Sequence, residues 1–184
     1  IVDAKVVMSY NDRIGGQLNL ARVIPGKEEF DGLVDWFATM LGKAGVDLRL
    51  GSAATVDDLR GFDRVILATG VRPRPAGIPG EAGGTAVSYA NLLAGHVTAG
   101  KRVAVVGAGG IGFDVAEYLV HDGPSPATDV ALWRREWGVT DPAEAPGGVT
   151  APAPEPPARQ VTLLQRQAER PGKRLGKTTG WIHR

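Results

Sequence analysis

The sequence contains no cysteine. That excludes disulfides, thiolate zinc sites, cysteine-held iron–sulfur clusters and Cys-x-x-Cys redox pairs, so electron transfer by these residues needs a bound organic cofactor. Long apolar runs are also missing. Nothing approaches the roughly 18 consecutive apolar residues of a membrane-spanning helix, and Ile1-Val-Asp-Ala-Lys5 lacks the basic head, apolar stretch and cleavage site of a signal peptide. The cytoplasm is the expected compartment, with no membrane partner. Charge of one sign is scarce overall: 21 Lys and Arg face 20 Asp and Glu, a net charge of +1 that argues against a nucleic-acid partner. Histidine is sparse too, and His96, His121 and His183 stand at no ligand spacing, so no metal site is expected. No Gly-x-Ser-x-Gly elbow is present, which disfavours a hydrolase.

What the chain does have is an ordinary balance for one or two small domains, with 184 residues of which 43% are hydrophobic. Lys5-Val-Val-Met8 reads as a strand entering the turn Ser9–Arg13, with Gly15-Gly16 breaking the pattern. Phe30, Leu33, Val34, Phe37, Met40 and Leu41 recur at helical spacing and predict an amphipathic helix over 27–43, stopped by Gly45. Val46–Leu50 alternates like a strand. Phe62–Ala68 is mostly apolar and ends at Thr69-Gly70, after which Pro73, Pro75 and Pro79 enforce an extended exit. Ser88–Leu93 predicts a short helix. Residues 123–159 are rich in Pro, Gly and Ala, and 141–158 are expected to be loop with little fixed structure. From Arg159 onward, seven Lys and Arg face one acid, Glu169, either as a local anion site or as a solvated basic face.

The motif that carries chemistry is Gly107-Ala108-Gly109-Gly110-Ile111-Gly112. It follows the buried-type strand Lys101–Val106 and opens a helix whose face is Ile111, Val115, Ala116, Leu119 and Val120. In that context Gly-x-Gly-x-x-Gly is the dinucleotide fingerprint, and each glycine has a task. Gly107 allows the tight turn, Gly109 removes a side chain where a pyrophosphate approaches the backbone, and Gly112 lets helix and strand pack closely. The helix amino terminus offers N–H groups and a positive dipole end to the phosphates. The choice between NAD and NADP falls at the end of the next strand, where an acid reads the ribose hydroxyl and a base reads a 2′-phosphate. Val130–Trp133 and Val161–Leu164 are both candidates for that strand. Both end in basic residues, Arg134-Arg135 and Gln165-Arg166, which favours NADP unless these arginines only solvate a strand end. The fold class is α/β, with Rossmann-like three-layer dinucleotide-binding units.

In order along the chain, Ile14-Gly15-Gly16-Gln17, Ile66-Leu-Ala68-Thr69-Gly70, Arg72-Pro-Arg, Ile78-Pro-Gly80 and the fingerprint resemble flavoprotein oxidoreductases whose FAD domain carries an inserted NAD(P)H domain. Gly16–Phe30, Gly109–Asp114 and Leu175–Arg184 are similar to the bacterial NADPH-dependent 2,4-dienoyl-CoA reductases. The resemblance implies a partial FAD-binding domain at 1–97 and an NAD(P)H-binding domain at 98–184 with an insertion at 123–159. It implies FAD and NADP(H) as cofactors, with Gly15, Gly16, Gln17, Ala68, Thr69 and Gly70 on the flavin side. It makes Gln160–Arg166 the second strand, places Gln165 and Arg166 at the 2′-phosphate with Arg170, Lys173 and Arg174 as auxiliaries, and sets Asp114 near the nicotinamide. An exposed carboxylate favouring the helix amino terminus is the other reading of Asp114. Trp133 and Trp137 either cover a cofactor or pack the insertion onto its domain.

In that family NADPH reduces FAD, and electrons pass through an iron–sulfur cluster to FMN in an amino-terminal barrel that reduces the unsaturated acyl-CoA. Three parts of the pattern are absent from this sequence: cysteines for the cluster, the barrel with its acid–base residues, and a first fingerprint for the FAD pyrophosphate. Ser9 also stands where the family has its ribose-binding acid. The chain therefore reads as a fragment, with the remaining barrel and FAD-domain segments of a longer protein as partners, an incomplete grip on FAD, and no assignable catalytic residue. A non-catalytic ADP-binding or interaction domain and an inactive remnant are the alternative readings.

Overall fold

The computed structural model describes residues 6–79, 81–173 and 175. Strand β1 (Val6–Met8) pairs in parallel with β2 (Asp47–Arg49), Val7 lying opposite Leu48. A parallel pair needs a crossover, and helices α1 (Leu18–Ala21) and α2 (Glu29–Lys43) provide it. Glu29 and Asp31 sit in the first turn of α2 and Lys43 in its last, the order that suits the helix dipole, and Gly45 stops the helix at φ 63°. Helix α3 (Tyr89–Leu93) begins where the Ser88 hydroxyl accepts a hydrogen bond from the Asn91 amide at 3.2 Å.

The second parallel pair is β3 (Arg102–Val106) with β4 (Gln160–Leu164), in the register Val103 to Val161 and Val105 to Leu163. Its crossover begins with α4 (Gly110–Val120). Val103, Val105, Val161 and Leu163 alternate toward α4, as strand pleating requires. Two further bonds fix β4 on its neighbours: Gln160 N donates to Lys101 O at 2.9 Å, and Arg159 donates from Nη1 to Leu119 O at 3.1 Å at the carboxyl end of α4. One core joins the two halves, with Ile24 after α1, Leu92 and Leu93 of α3, and Val115 and Leu119 of α4 packed as a buried cluster. The α/β class with parallel strands is as the sequence implied.

Two expectations need correction. Val130–Trp133 is not a strand but the start of α5 (Val130–Trp137). Asp129 caps this helix by accepting from the amides of Ala131 at 2.9 Å and Leu132 at 3.0 Å, and Gly138 closes it at φ 64°. Arg134 and Arg135 therefore lie in a helix, and Arg135 pairs with Glu155. The second correction concerns 141–158, which has more order than its composition suggests. A 3-10 turn at Pro146–Gly148 and an antiparallel bridge between Val139 and Val149 fold it back on α5, and Thr150 N donates to Gly138 O at 2.8 Å. Glycines at 138 and 148 permit this, since a Cβ would stand 2.4 Å from Thr150 O at the first and 2.9 Å from Thr140 O at the second.

Phe62–Ala68 runs extended without joining a strand, leaving Leu67 80% exposed. Among the described residues no helix is long and apolar enough to cross a membrane.

Candidate functional site

The carboxyl ends of β3 and β4 meet at the glycine bend, because Gly107 N donates to Leu164 O at 2.8 Å. Gly107 turns the chain at φ 118°, a conformation that L side chains rarely adopt. Gly109 is exposed and extended at φ −93°, and a Cβ built there meets nothing within 4 Å. Its surroundings are open on the side a phosphate would use. No side chain caps α4, so the first-turn amides from Gly110 onward point into that opening. Gly112 is buried, and a Cβ there would stand 1.8 Å from Gly107 O. The three glycines thus differ in the way the fingerprint requires, and the bend fits a diphosphate held by backbone N–H groups. Ala108 is half-buried beneath the bend, Ile111 is half-exposed beside it, and Leu175 lies 3.9 Å from where a Gly110 Cβ would be.

Gln165 and Arg166 follow β4 directly, so they lie next to the bend, and both are exposed. The Gln165 side-chain amide donates to Glu169 O, and Lys173 Nζ stands 3.5 Å from the Glu169 carboxylate. Glu169 thereby gathers two of the implied 2′-phosphate readers on one short loop. Arg174 lies outside the described residues. With α5 helical, β4 is the strand beside β3, and Arg134 and Arg135 drop out as readers of the phosphate.

Asp114 is not the exposed carboxylate of its second reading. Its carboxylate is only 25% exposed and forms an ion pair of 2.6 Å with Lys27 Nζ. Sequence reasoning missed Lys27 as the partner, although the residue stands inside a quoted motif. Periodicity offers no signal for a contact across 87 positions. Trp133 and Trp137 stack on each other along α5, ring centroids 6.3 Å apart.

On the flavin side the structure brings two motifs together. Gln17 Nε2 donates to Val71 O at 3.0 Å, joining the Gly15–Gln17 loop to the segment that follows Ala68, Thr69 and Gly70. Gly15, at φ 102°, packs so closely on Asn19 that a Cβ would lie 2.9 Å from its amide nitrogen. Asn19 Nδ2 donates to Ile14 O at 2.8 Å, while its Oδ1 is buried with no partner among the described residues. Arg72 lies over the Tyr10 ring at 6.0 Å, bringing this segment to the end of β1. The loops converge, yet no glycine cradle like that at 107–112 is present here among the described residues.

A parallel strand pair, a glycine bend between strand and helix, and a basic strand end define a dinucleotide-binding protein of the Rossmann-like class. The chain belongs to the pyridine nucleotide-disulphide oxidoreductase family, whose model matches residues 5–169. This is a family of flavin-dependent oxidoreductases that use FAD and NAD(P)H. Its relatives include a metal reductase of Desulforamulus reducens, 32% identical over 61% of this chain and 18% of its own length. An NADH oxidase of Thermoanaerobacter brockii is 36% identical over 64% of this chain and 19% of its own length. An N,N-dimethylglycine/sarcosine dehydrogenase of Chromohalobacter salexigens is 35% identical over 77% and 21%. A solved 2-naphthoyl-CoA reductase bound to 2-naphthoyl-CoA superposes with a TM-score of 0.59 and 27% identity, covering 64% of this chain and 18% of that one. The chain spans about a fifth of the length of these relatives.

Proposed function

We propose that this chain is the FAD- and NADPH-binding part of an oxidoreductase resembling 2,4-dienoyl-CoA reductase, passing hydride from NADPH to flavin. The observation that carries the reading is the open, amide-lined bend at Gly107–Gly112 beside Gln165 and Arg166. When bound, NADPH supplies a hydride that carries two electrons to the flavin and leaves NADP+, with a solvent proton completing flavin reduction. The chain's own contribution is binding and orientation. Backbone N–H groups of Gly109 to Gly112 would hold the pyrophosphate, the Arg166 guanidinium would donate to the 2′-phosphate in a charge-assisted pair, and Gln165 and Lys173 line the same loop.

Gly15, Gly16, Gln17 and Ala68 to Gly70 would line the flavin side, within a first unit of residues 1–97, with 98–184 as the coenzyme unit. An acyl-CoA substrate is supported by the 2-naphthoyl-CoA reductase likeness and belongs to the longer protein, whose other segments would act as partners. Calorimetric titration tests the coenzyme assignment. NADPH is expected to bind at least about tenfold more tightly than NADH, and Arg166→Ala to remove most of that difference. Equal affinities, or binding of ADP with no NADPH-dependent bleaching of added FAD, would contradict the reading.

A further inference from the structure

The turn between α1 and α2 touches the coenzyme helix at two places and the loop beyond it at a third. Ile24, only 3% exposed, packs in the cluster with Val115 and Leu119 of α4. Two residues on, Gly26 N donates to Ser125 Oγ at 3.3 Å, and the Ser125 hydroxyl bonds to the Glu28 carboxylate. Ser125 lies just beyond the carboxyl end of α4. Between these, Lys27 reaches Asp114, the fifth of the eleven residues of α4, at 2.6 Å. Helix α4 is 11 residues long, about 16 Å, and the turn holds it from its middle, at Asp114 and Val115, through Leu119 near its carboxyl end to Ser125 in the loop beyond. A single contact would leave a pivot, whereas contacts spread along the axis resist rotation.

What the turn connects is equally specific. It leaves α1, and α1 starts directly after Gln17, whose side chain holds Val71 O. From Gln17 to Lys27 the chain therefore runs from the flavin-side loop to the helix whose first turn faces the coenzyme phosphates. Both members of the Lys27–Asp114 pair are two-thirds or more covered, at 33% and 25% exposure, so solvent and salt screen them less than an open surface pair.

We propose that the turn Pro25–Glu28 is a clasp that fixes α4 against the flavin-side loop, with Lys27 and Asp114 as positioning residues that set the distance between nicotinamide and flavin. The inference rests on the function proposed above. The pair does not touch the reacting atoms; it keeps the two cofactor seats in one frame. Hydride transfer is steep in donor–acceptor distance, so a small rotation of α4 lowers the rate while leaving the phosphate seat intact.

The test uses the full chain reconstituted with FAD, comparing wild type with Lys27→Met, Asp114→Asn, Lys27→Arg and the exchanged pair Lys27→Asp/Asp114→Lys. The dissociation constant for NADPH is expected to stay within about twofold in all of them, while the single-turnover rate of flavin reduction falls about tenfold or more in Lys27→Met and Asp114→Asn. Lys27→Arg, and in part the exchanged pair, are expected to recover the rate. Faster amide exchange over residues 23–30 is expected in the two slow variants, a readout that needs no cofactor. An unchanged reduction rate with tight NADPH binding overturns the proposal. So does a loss of affinity in step with the rate, which marks the pair as merely structural. Failure of the underlying functional reading is recognised separately, because wild type itself then fails to bind NADPH or reduce flavin.

Discussion

One methyl group separates the tasks of the fingerprint glycines. At Gly112 an added Cβ runs into the carbonyl of Gly107 at 1.8 Å, and a backbone atom cannot swing away. Gly112→Ala is therefore expected to lose about 3 kcal/mol of stability, read by urea unfolding. At Gly109 the same atom meets nothing within 4 Å, and φ −93° suits any residue. Gly109→Val is expected to unfold within about 1 kcal/mol of wild type, yet to weaken NADPH binding at least about tenfold, because its side chain fills the approach to the amides.

Acid sensitivity is also local. Burial pushes the Glu28 carboxyl up, but hydrogen bonds from Ser125, its own amide and the Gly26 amide, with the charge of His121, hold it below its ordinary value of 4.5. A lowered folded value means that the stabilisation is complete above pH 4.5 and is lost as pH falls through the lower folded value. Glu28→Gln is expected to flatten the pH dependence of unfolding in that range and to leave it unchanged near neutrality. None of this was legible from spacing. Ser9, Gly15 and Gly107–Gly112 can be picked out by residue type, whereas Lys27, Ser125 and Asn19 acquire their roles only when distant segments meet.

Elements were legible where periodicity and termini agreed. The helix expected at 27–43 forms over Glu29–Lys43, Ser88 caps α3, and the strand before the fingerprint runs Arg102–Val106. Where a short apolar run stood alone, local pattern failed. Val130-Ala-Leu-Trp133 reads equally as strand or helix, and the deciding signals were the cap at Asp129 and the stop at Gly138. Because α5 is exposed and carries no buried residue, its cap is expected to govern local opening more than global stability. Asp129→Ala is expected to cost the helix about 1 kcal/mol, seen as faster amide exchange over 130–137 with the global unfolding midpoint little changed. The insertion was misjudged for a related reason: composition marks Gly and Pro as breakers, but Gly138 and Gly148 here let two backbone segments approach closely.

At the scale of the whole molecule, apolar surface is generous. Leu67 is 80% exposed, Ile66 69% and Val106 61%, while among the described residues the buried cluster holds five side chains with partly buried neighbours. Exposed apolar side chains in this number bind hydrophobic dyes. The isolated chain is expected to enhance the fluorescence of anilinonaphthalene sulfonate at neutral pH while keeping a cooperative unfolding transition. Sequence motifs identified the class and the glycine bend because backbone chemistry at a bend is local. They did not show how the halves are held together, because Ile24, Leu92 and Leu119 lie far apart along the chain and meet only in the fold.

The most direct test of the account is a titration of the isotope-labelled chain with NADPH, followed through its assigned backbone amides. The account predicts the largest shifts at Gly109, Gly110, Ile111 and Gly112, with a second group at Gln165 and Arg166 that NADH fails to move. Saturable NADPH binding that leaves the 109–112 amides in place, or a chain that binds neither nucleotide while folded, would contradict it.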